Sequence, residues 1–125
     1  MENQKSEQCL YLDEFKNIVN LEAKIIELIS CDLNDNIIYM QFKNLKVMKR
    51  EASISGYYCY FEDRKDMQKT INSGFVGNVN LISNNESIGG AMILIEGGIL
   101  KMIECYFWDE SNFFVELLKT NQIKT

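Results

Sequence analysis

The 125-residue sequence contains no histidine and no proline. Without histidine, the chain lacks the usual general base near neutral pH, the Ser-His and Cys-His nucleophile pairs, and the commonest transition-metal ligand. Without proline, no rigid linker or cis-proline turn divides it. We therefore predict a protein that is not an enzyme, with no catalytic residues, no bound metal and no cofactor.

Long apolar runs are also missing. The N-terminal residues MENQKSEQ are polar, and no stretch approaches the roughly 20 apolar residues of a transmembrane helix. The four cysteines lie far apart, at Cys9, Cys31, Cys59 and Cys105. We interpret them as reduced thiols, with Cys105 in the core. These features predict a cytoplasmic protein that has no membrane partner.

Composition favours an ordinary folded protein, since 46% of the residues are hydrophobic and 25% are charged. We predict a single globular domain over residues 1–125. The net charge is −5, although residues 43–69 alone hold seven basic and four acidic side chains. An acidic balance argues against a nucleic-acid partner and suits a cationic one. Ordinary solubility charge is the alternative interpretation.

The clearest structural signal is the stretch 88–110, in which Gly97-Gly98 joins two apolar runs. Glycine adopts positive φ without a Cβ clash, so this pair predicts a two-residue hairpin turn. The predicted cross-strand pairs are Glu96 with Ile99, Ile95 with Leu100, Ile93 with Met102, and Ala91 with Glu104. Both faces of this hairpin are largely apolar, which predicts a central hairpin covered on two sides.

Other segments give weaker signals. Helical spacing predicts a short helix over Tyr11–Val19. Residues 22–33 fit either a helix or a strand, and we favour a hairpin with strands near 24–33 and 37–43 around the turn cluster Asn34-Asp35-Asn36. Residues 45–61 predict a strand pair or one bent strand.

In that region Gly56 marks a bulge or turn, and Lys46, Lys49 and Arg50 are expected on a solvated face. A loop or short helix should follow as far as Gly74, then a strand over Phe75–Ile82. A final helix is expected to be capped by Ser111. Together these elements predict an α+β fold: an antiparallel sheet of about six strands with a short helix near each terminus. The strand order stays open.

The outgoing end of the 88–110 hairpin contains the candidate functional residues. Glu104 lies in an otherwise apolar strand, where a carboxylate must be exposed, hydrogen-bonded or shifted in pKa. Asp109 and Glu110 follow a run of rings, and rings beside acids suit an interface for a basic protein. Alternatively, Glu104 is a structural carboxylate or a catalytic one acting with Asp109 or Glu110, and Phe107 or Trp108 closes the edge of the core. The candidate partner-binding residues are Glu104, Tyr106, Trp108, Asp109 and Glu110.

The run ILIEGGILKMIECYFWDE, from Ile93 to Glu110, resembles a pattern found in immunity proteins of bacterial toxin systems, including contact-dependent growth inhibition. The matching positions are Gly97 or Gly98, Leu100, Ile103, Glu104, Tyr106, and Asp109 or Glu110. The sequence departs from the pattern where Trp108-Asp109 stands in place of Trp-Pro. The resemblance implies a protein that neutralises a cognate toxin domain, such as a basic nuclease, by forming a tight heterodimer. The alternative is a bacterial or phage interaction module that self-associates through a sheet edge. The oligomeric state stays open.

Overall fold

A computed structural model describes residues 8–121 of the chain. It has an α+β fold, as predicted, and contains six strands, a 3-10 turn at Leu12–Glu14 and three α-helices. The strands are β1 (Gln8–Tyr11), β2 (Val47–Ser53), β3 (Gly56–Phe61), β4 (Gly74–Ser83), β5 (Glu86–Glu96) and β6 (Ile99–Phe107). The helices are α1 (Ile18–Leu33), α2 (Asn36–Asn44) and α3 (Phe113–Asn121).

The six strands form one sheet in the order β1-β4-β5-β6-β3-β2, with the predicted β5–β6 hairpin at its centre. Four of the strand pairs are antiparallel, but β1 runs parallel to β4, so the prediction of a purely antiparallel sheet is wrong. A parallel pair requires a long crossover connection. The segment between β1 and β4, which includes α1 and α2, supplies it.

Residues 18–44 form two helices, α1 and α2, where a hairpin was predicted. Asn17 begins α1 by accepting hydrogen bonds from the amides of Val19 and Asn20, at 2.8 and 3.2 Å. Asn34 ends α1 in the left-handed conformation, with φ of 53°. The strands predicted at 24–33 and 37–43 and the helix predicted at 11–19 are therefore wrong. A short helix, α3, does follow Ser111 as predicted. The short helix predicted near the N-terminus is wrong, because the sixteen residues of α1 are followed directly by α2.

The turn of the β5–β6 hairpin is confirmed, with φ of 60° at Gly97 and 78° at Gly98. The two pairs nearest the turn, Glu96 with Ile99 and Ile95 with Leu100, are also as predicted. Beyond them a β-bulge shifts the register by one residue. The resulting pairs are Leu94 with Met102, Ile93 with Ile103, Met92 with Glu104 and Ala91 with Cys105, which corrects the predicted partners of Ile93 and Ala91.

The three helices pack with one face of the sheet, here called the inner face, in one hydrophobic core. Inner-face residues of the central strands are fully or almost fully buried: Tyr57, Cys59, Val79, Leu81, Ala91, Ile93, Ile103 and Cys105. On the opposite, outer face, no helix of the described residues covers the central strands. Met92, Leu94 and Met102 remain partly exposed there. The predicted cover on both sides of the hairpin is therefore wrong.

A buried ionic cluster links α1 to strands β2 and β3. Glu22 of α1 accepts hydrogen bonds from Arg50 of β2 and from the hydroxyl of Tyr57 of β3. The hydrogen bond to Glu22 raises the pKa of Arg50, and burial raises the pKa of Tyr57. Arg50 therefore does not lie on a solvated face as predicted, whereas Lys46 and Lys49 are exposed.

The segment between β3 and β4 is the predicted loop, and polar contacts fix its second half. Gln41 donates hydrogen bonds to the carbonyls of Gln68 and Gly98, at 2.8 and 2.9 Å, and the Thr70 amide also donates to Gly98 at 3.0 Å. The carboxylate of Asp35 accepts from the side chains of Thr70 and Asn72. Ile71, between these two anchored residues, is 99% exposed.

Candidate partner-binding site

Glu104 lies on the outer face of the sheet, between two partly exposed apolar side chains. Strand alternation turns Cys105 inward and Glu104 outward, and the pairing places Glu104 beside Tyr58 of β3 and Met92 of β5. The negative charge of Glu104 raises the pKa of Tyr58. Among residues 8–121, Glu104 forms no salt bridge with a lysine or arginine. Its charge is therefore available to an incoming cation.

Tyr106 lies two residues further along β6 on the same face and is 36% exposed. Its ring lies over Gly90 of β5, where an added Cβ would sit only 2.6 Å from the Tyr106 Cζ atom. The ring also contacts Trp108, with centroids 6.2 Å apart and planes inclined at 55°. Because Gly90 has no side chain, the Tyr106 ring can lie over β5 and contact Trp108.

Trp108 is held at the sheet margin but is not buried. Its indole Nε1 donates to the carbonyl of Ser87 at 3.0 Å, its amide donates to the carbonyl of Ile88 at 3.1 Å, and 57% of the residue surface stays exposed. Phe107 points the other way and stacks on Phe114 of α3, with centroids 5.7 Å apart. Of the two interpretations offered by the sequence, core packing therefore holds for Phe107 and exposure for Trp108.

Asp109 and Glu110 are both exposed in the loop that leads from β6 to α3. The loop is fixed at its far end, because the Ser111 amide donates to the carbonyl of Ile54 at 2.9 Å. The Ser111 side chain also accepts a hydrogen bond from the amide of Phe113, the first residue of α3, at 3.2 Å. These two carboxylates lie beyond the end of β6, about 10 Å or more along the chain from Glu104.

The five predicted residues thus divide into two groups. Glu104 and Tyr106 share the outer face of β6, and Tyr106 contacts Trp108 at the sheet margin, while Asp109 and Glu110 lie past the sheet end. We call the whole set the acidic corner. It offers exposed rings and carboxylates at fixed positions, which suits binding of a cationic surface.

Sequence reasoning missed a second outer-face feature, a line of apolar side chains across four neighbouring strands. Phe75 of β4 pairs with Leu94, Leu94 pairs with Met102, and Met102 pairs with Tyr60 of β3. Cross-strand partners share a face of the sheet, so these four residues form one row, here called the apolar row. Phe75 is 55% exposed, and the other three are partly exposed. No local sequence signal reveals it, because residues 92–95 are all apolar and the row depends on the order of four strands.

At the β2 margin the apolar row ends in a polar group. Lys49 forms a salt bridge with Glu51 at 2.7 Å, and the Tyr60 hydroxyl donates to Glu51 at 3.2 Å. The hydrogen bond to Glu51 raises the pKa of Lys49. Because Lys49 and Glu51 neutralise each other, Glu104 is the carboxylate on this part of the outer face whose charge is uncompensated within residues 8–121.

Within residues 8–121, no group of three or more metal-ligating side chains is placed to hold a metal ion. None of the helices in this part of the chain combines the length and apolar character needed to cross a bilayer. The chain matches no protein-family model, no curated protein sequence and no solved structure.

Proposed function

We propose that this chain is an immunity protein, which binds a cognate bacterial toxin domain and blocks it by forming a tight heterodimer. The observation that supports the proposal is the acidic corner: Glu104 without a cationic partner among the described residues, beside the exposed rings of Tyr106 and Trp108. Tyrosine and tryptophan are common anchors of protein interfaces, and unpaired carboxylates select a basic partner. The proposed inhibitor acts in the cytoplasm, without catalysis or a cofactor.

Charge supports a basic partner in two ways. The chain as a whole has a net charge of −5, which steers a cationic domain towards it before contact. At contact, each of three carboxylates forms an ion pair with a lysine or arginine of the partner: Glu104, Asp109 and Glu110. A basic nuclease fits this requirement, because its substrate-binding surface is cationic and an acidic inhibitor competes with nucleic acid for it.

The test is co-expression with the polypeptide encoded by the reading frame immediately upstream, followed by co-purification and a measurement of cell survival. The double variant Asp109→Asn, Glu110→Gln should weaken binding about tenfold or more at low salt. Because two charges are gone, the affinity of the variant should also depend less on salt concentration than that of the wild type. The matched control is Glu27→Gln, Asp32→Asn, which removes the same charge from exposed positions of α1. If the wild-type chain neither co-purifies with that polypeptide nor protects the cell, the proposal fails.

The second candidate function is self-association through β2, which forms one edge of the sheet. An edge strand presents unpaired backbone groups to a second chain. Two features oppose it, since β2 contains a bulge between Val47 and Lys49 and carries an exposed lysine at its rim. Light scattering during size-exclusion chromatography distinguishes a stable homodimer from a monomer that awaits a partner.

A further inference from the structure

We propose that the apolar row, Phe75, Leu94, Met102 and Tyr60, is the surface on which the basic protein partner seats an apolar segment, while a lysine or arginine next to that segment reaches Glu104. This inference rests on the proposed function and extends it from the acidic corner to the middle of the sheet. It names both parts of the partner's contact surface: an apolar ridge and an adjacent cation.

The geometry of the row supports a continuous contact. Its members occupy four adjacent strands in direct register, and the usual strand spacing gives it a length of roughly 14 Å. The row begins at Phe75, which is 55% exposed, and its middle members are a leucine and a methionine. Methionine adapts its shape to an incoming surface. A contiguous exposed apolar surface of this kind marks an interaction site more often than isolated apolar side chains do.

The next row along the strands defines the charge of the occupant. It contains Glu104, flanked by Tyr58 and Met92, two residues further along β6 than Met102. A surface that covers both rows also removes water from Glu104. Because burial of a carboxylate without a counter-charge is strongly unfavourable, that surface should supply a cation or further hydrogen-bond donors. Arginine is best suited, since it binds a carboxylate through two parallel hydrogen bonds.

A second copy of this chain would fit this surface poorly. Two copies that met through their outer faces would bring two Glu104 carboxylates into one interface. Lys49, which lies opposite Tyr60 in the β2–β3 pairing, is already paired with Glu51. The two copies would also each bring a net charge of −5. The outer face thus complements a basic surface and is poorly complementary to itself.

The test uses the full-length chain and the polypeptide encoded immediately upstream, with affinity measured by titration calorimetry. Phe75→Ala and Met102→Ala each remove a side chain of the row. Each should weaken binding about tenfold or more, as expected for residues at the centre of an interface. The matched control is Ile71→Ala, which removes a 99% exposed apolar side chain outside the row and should change affinity less than twofold. Thermal unfolding verifies that every variant is folded.

The outcomes separate this inference from the proposed function. If the wild-type chain binds and the acidic-corner variant weakens binding, but both row variants bind as the wild type does, the row is not the docking surface and the proposed function stands. If the wild-type chain does not bind, both proposals fail. If the wild-type chain alone is a dimer that Leu94→Lys dissociates, a second copy occupies the row and this inference is overturned.

Discussion

Arg50 donates two parallel hydrogen bonds to the carboxylate of Glu22, from Nε to Oε2 at 2.8 Å and from Nη2 to Oε1 at 2.9 Å. Glu22 is 1% exposed, so the pair is almost completely shielded from water. It joins α1 to β2, and the hydroxyl of Tyr57 extends it to β3. The helical layer is therefore fixed on the inner face by a charged contact as well as by apolar packing.

Glu22→Gln should lower the free energy of unfolding by about 3–5 kcal/mol, because it leaves the buried guanidinium of Arg50 without its counter-charge. Urea denaturation measures the loss. The control is Glu27→Gln on the same helix, whose exposed salt bridge with Lys24 spans 3.5 Å and should be worth less than about 0.5 kcal/mol. Equal, small losses for the two variants would contradict a stabilising role for the buried pair.

Two adjacent glycines of β5 should respond very differently to alanine. A Cβ at Gly89 would collide with the backbone of Tyr106 and would lie 2.9 Å from the Cα of Phe107, whereas a Cβ at Gly90 would meet only the Tyr106 side chain. We expect Gly89→Ala to cost about 2–3 kcal/mol of stability and Gly90→Ala about 1 kcal/mol or less, since an exposed ring can move and a central strand cannot.

Thermal unfolding of the two glycine variants measures this difference. Adding Tyr106→Ala should restore the stability that Gly90→Ala loses, but should not restore the stability that Gly89→Ala loses. A rescue of both, or of neither, would show that the Tyr106 ring does not lie over β5 as described.

Asp35→Ala should release the loop that carries Ile71. One Asp35 oxygen accepts from the Ile37 amide at the start of α2, and the other accepts from Thr70 and Asn72. Losing a helix cap and two side-chain hydrogen bonds should cost about 2–3 kcal/mol. Hydrogen exchange should also become faster at residues 70–72. Asp32→Ala, at an exposed position of α1, serves as the control and should leave both measurements unchanged.

The two buried thiols should make the fold less stable in alkaline solution. Burial raises the pKa of Cys59 and of Cys105 above the ordinary thiol value of 9.0. The folded chain therefore keeps protons that the unfolded chain releases, and the free energy of unfolding falls as pH rises. This contribution is fully present below about pH 8 and should decrease by about 1.4 kcal/mol per thiol for each pH unit above 9.

Urea midpoints at pH 7.5 and pH 10 measure this dependence. Cys105→Ala should reduce the change between the two pH values, whereas Cys31→Ala, at an exposed position, should not. An unchanged slope in Cys105→Ala would mean that this thiol ionises as readily in the folded chain as in the unfolded one.

Local signals predicted the β-rich half of the chain well. The Gly97-Gly98 turn, the strand near 75–82 and the helix after Ser111 all appear in the structure, because each depends on residues close together in sequence. The register of the central hairpin was predicted only up to Ile95. A bulge beyond it depends on how the strands pack with their neighbours, and no short-range pattern contains that information.

The helical half shows where local reasoning failed. Asn34 and Asp35 were correctly identified as a turn, but a turn cluster joins two helices as well as two strands. Leu21, Ile25 and Ile29 repeat at helical spacing and are all fully buried. Given that spacing, the helix was the better interpretation. Arg50 pairs with Glu22 of this helix. Because the helix was not predicted, Arg50 was wrongly expected on a solvated face.

Local signals were also enough to predict part of the placement of the candidate residues. Alternation along β6 is enough to put Glu104 and Tyr106 on one face, and both are there. The apolar row could not be derived, because it requires the order of four strands that are distant in sequence. Whether a side of the sheet is covered depends on where α1, α2 and α3 pack, which is a property of the whole fold.

The parallel contact of β1 with β4 has a consequence for how the chain folds during synthesis. Cys9 lies beside Asn80 in the sheet, so their pairing closes a very long segment of chain. During translation β1 emerges first and has no strand to join until β4 has been made. Contacts of such high sequence separation form late and slowly. We expect β1 to be the last strand incorporated, leaving the β4 edge open to other chains until then.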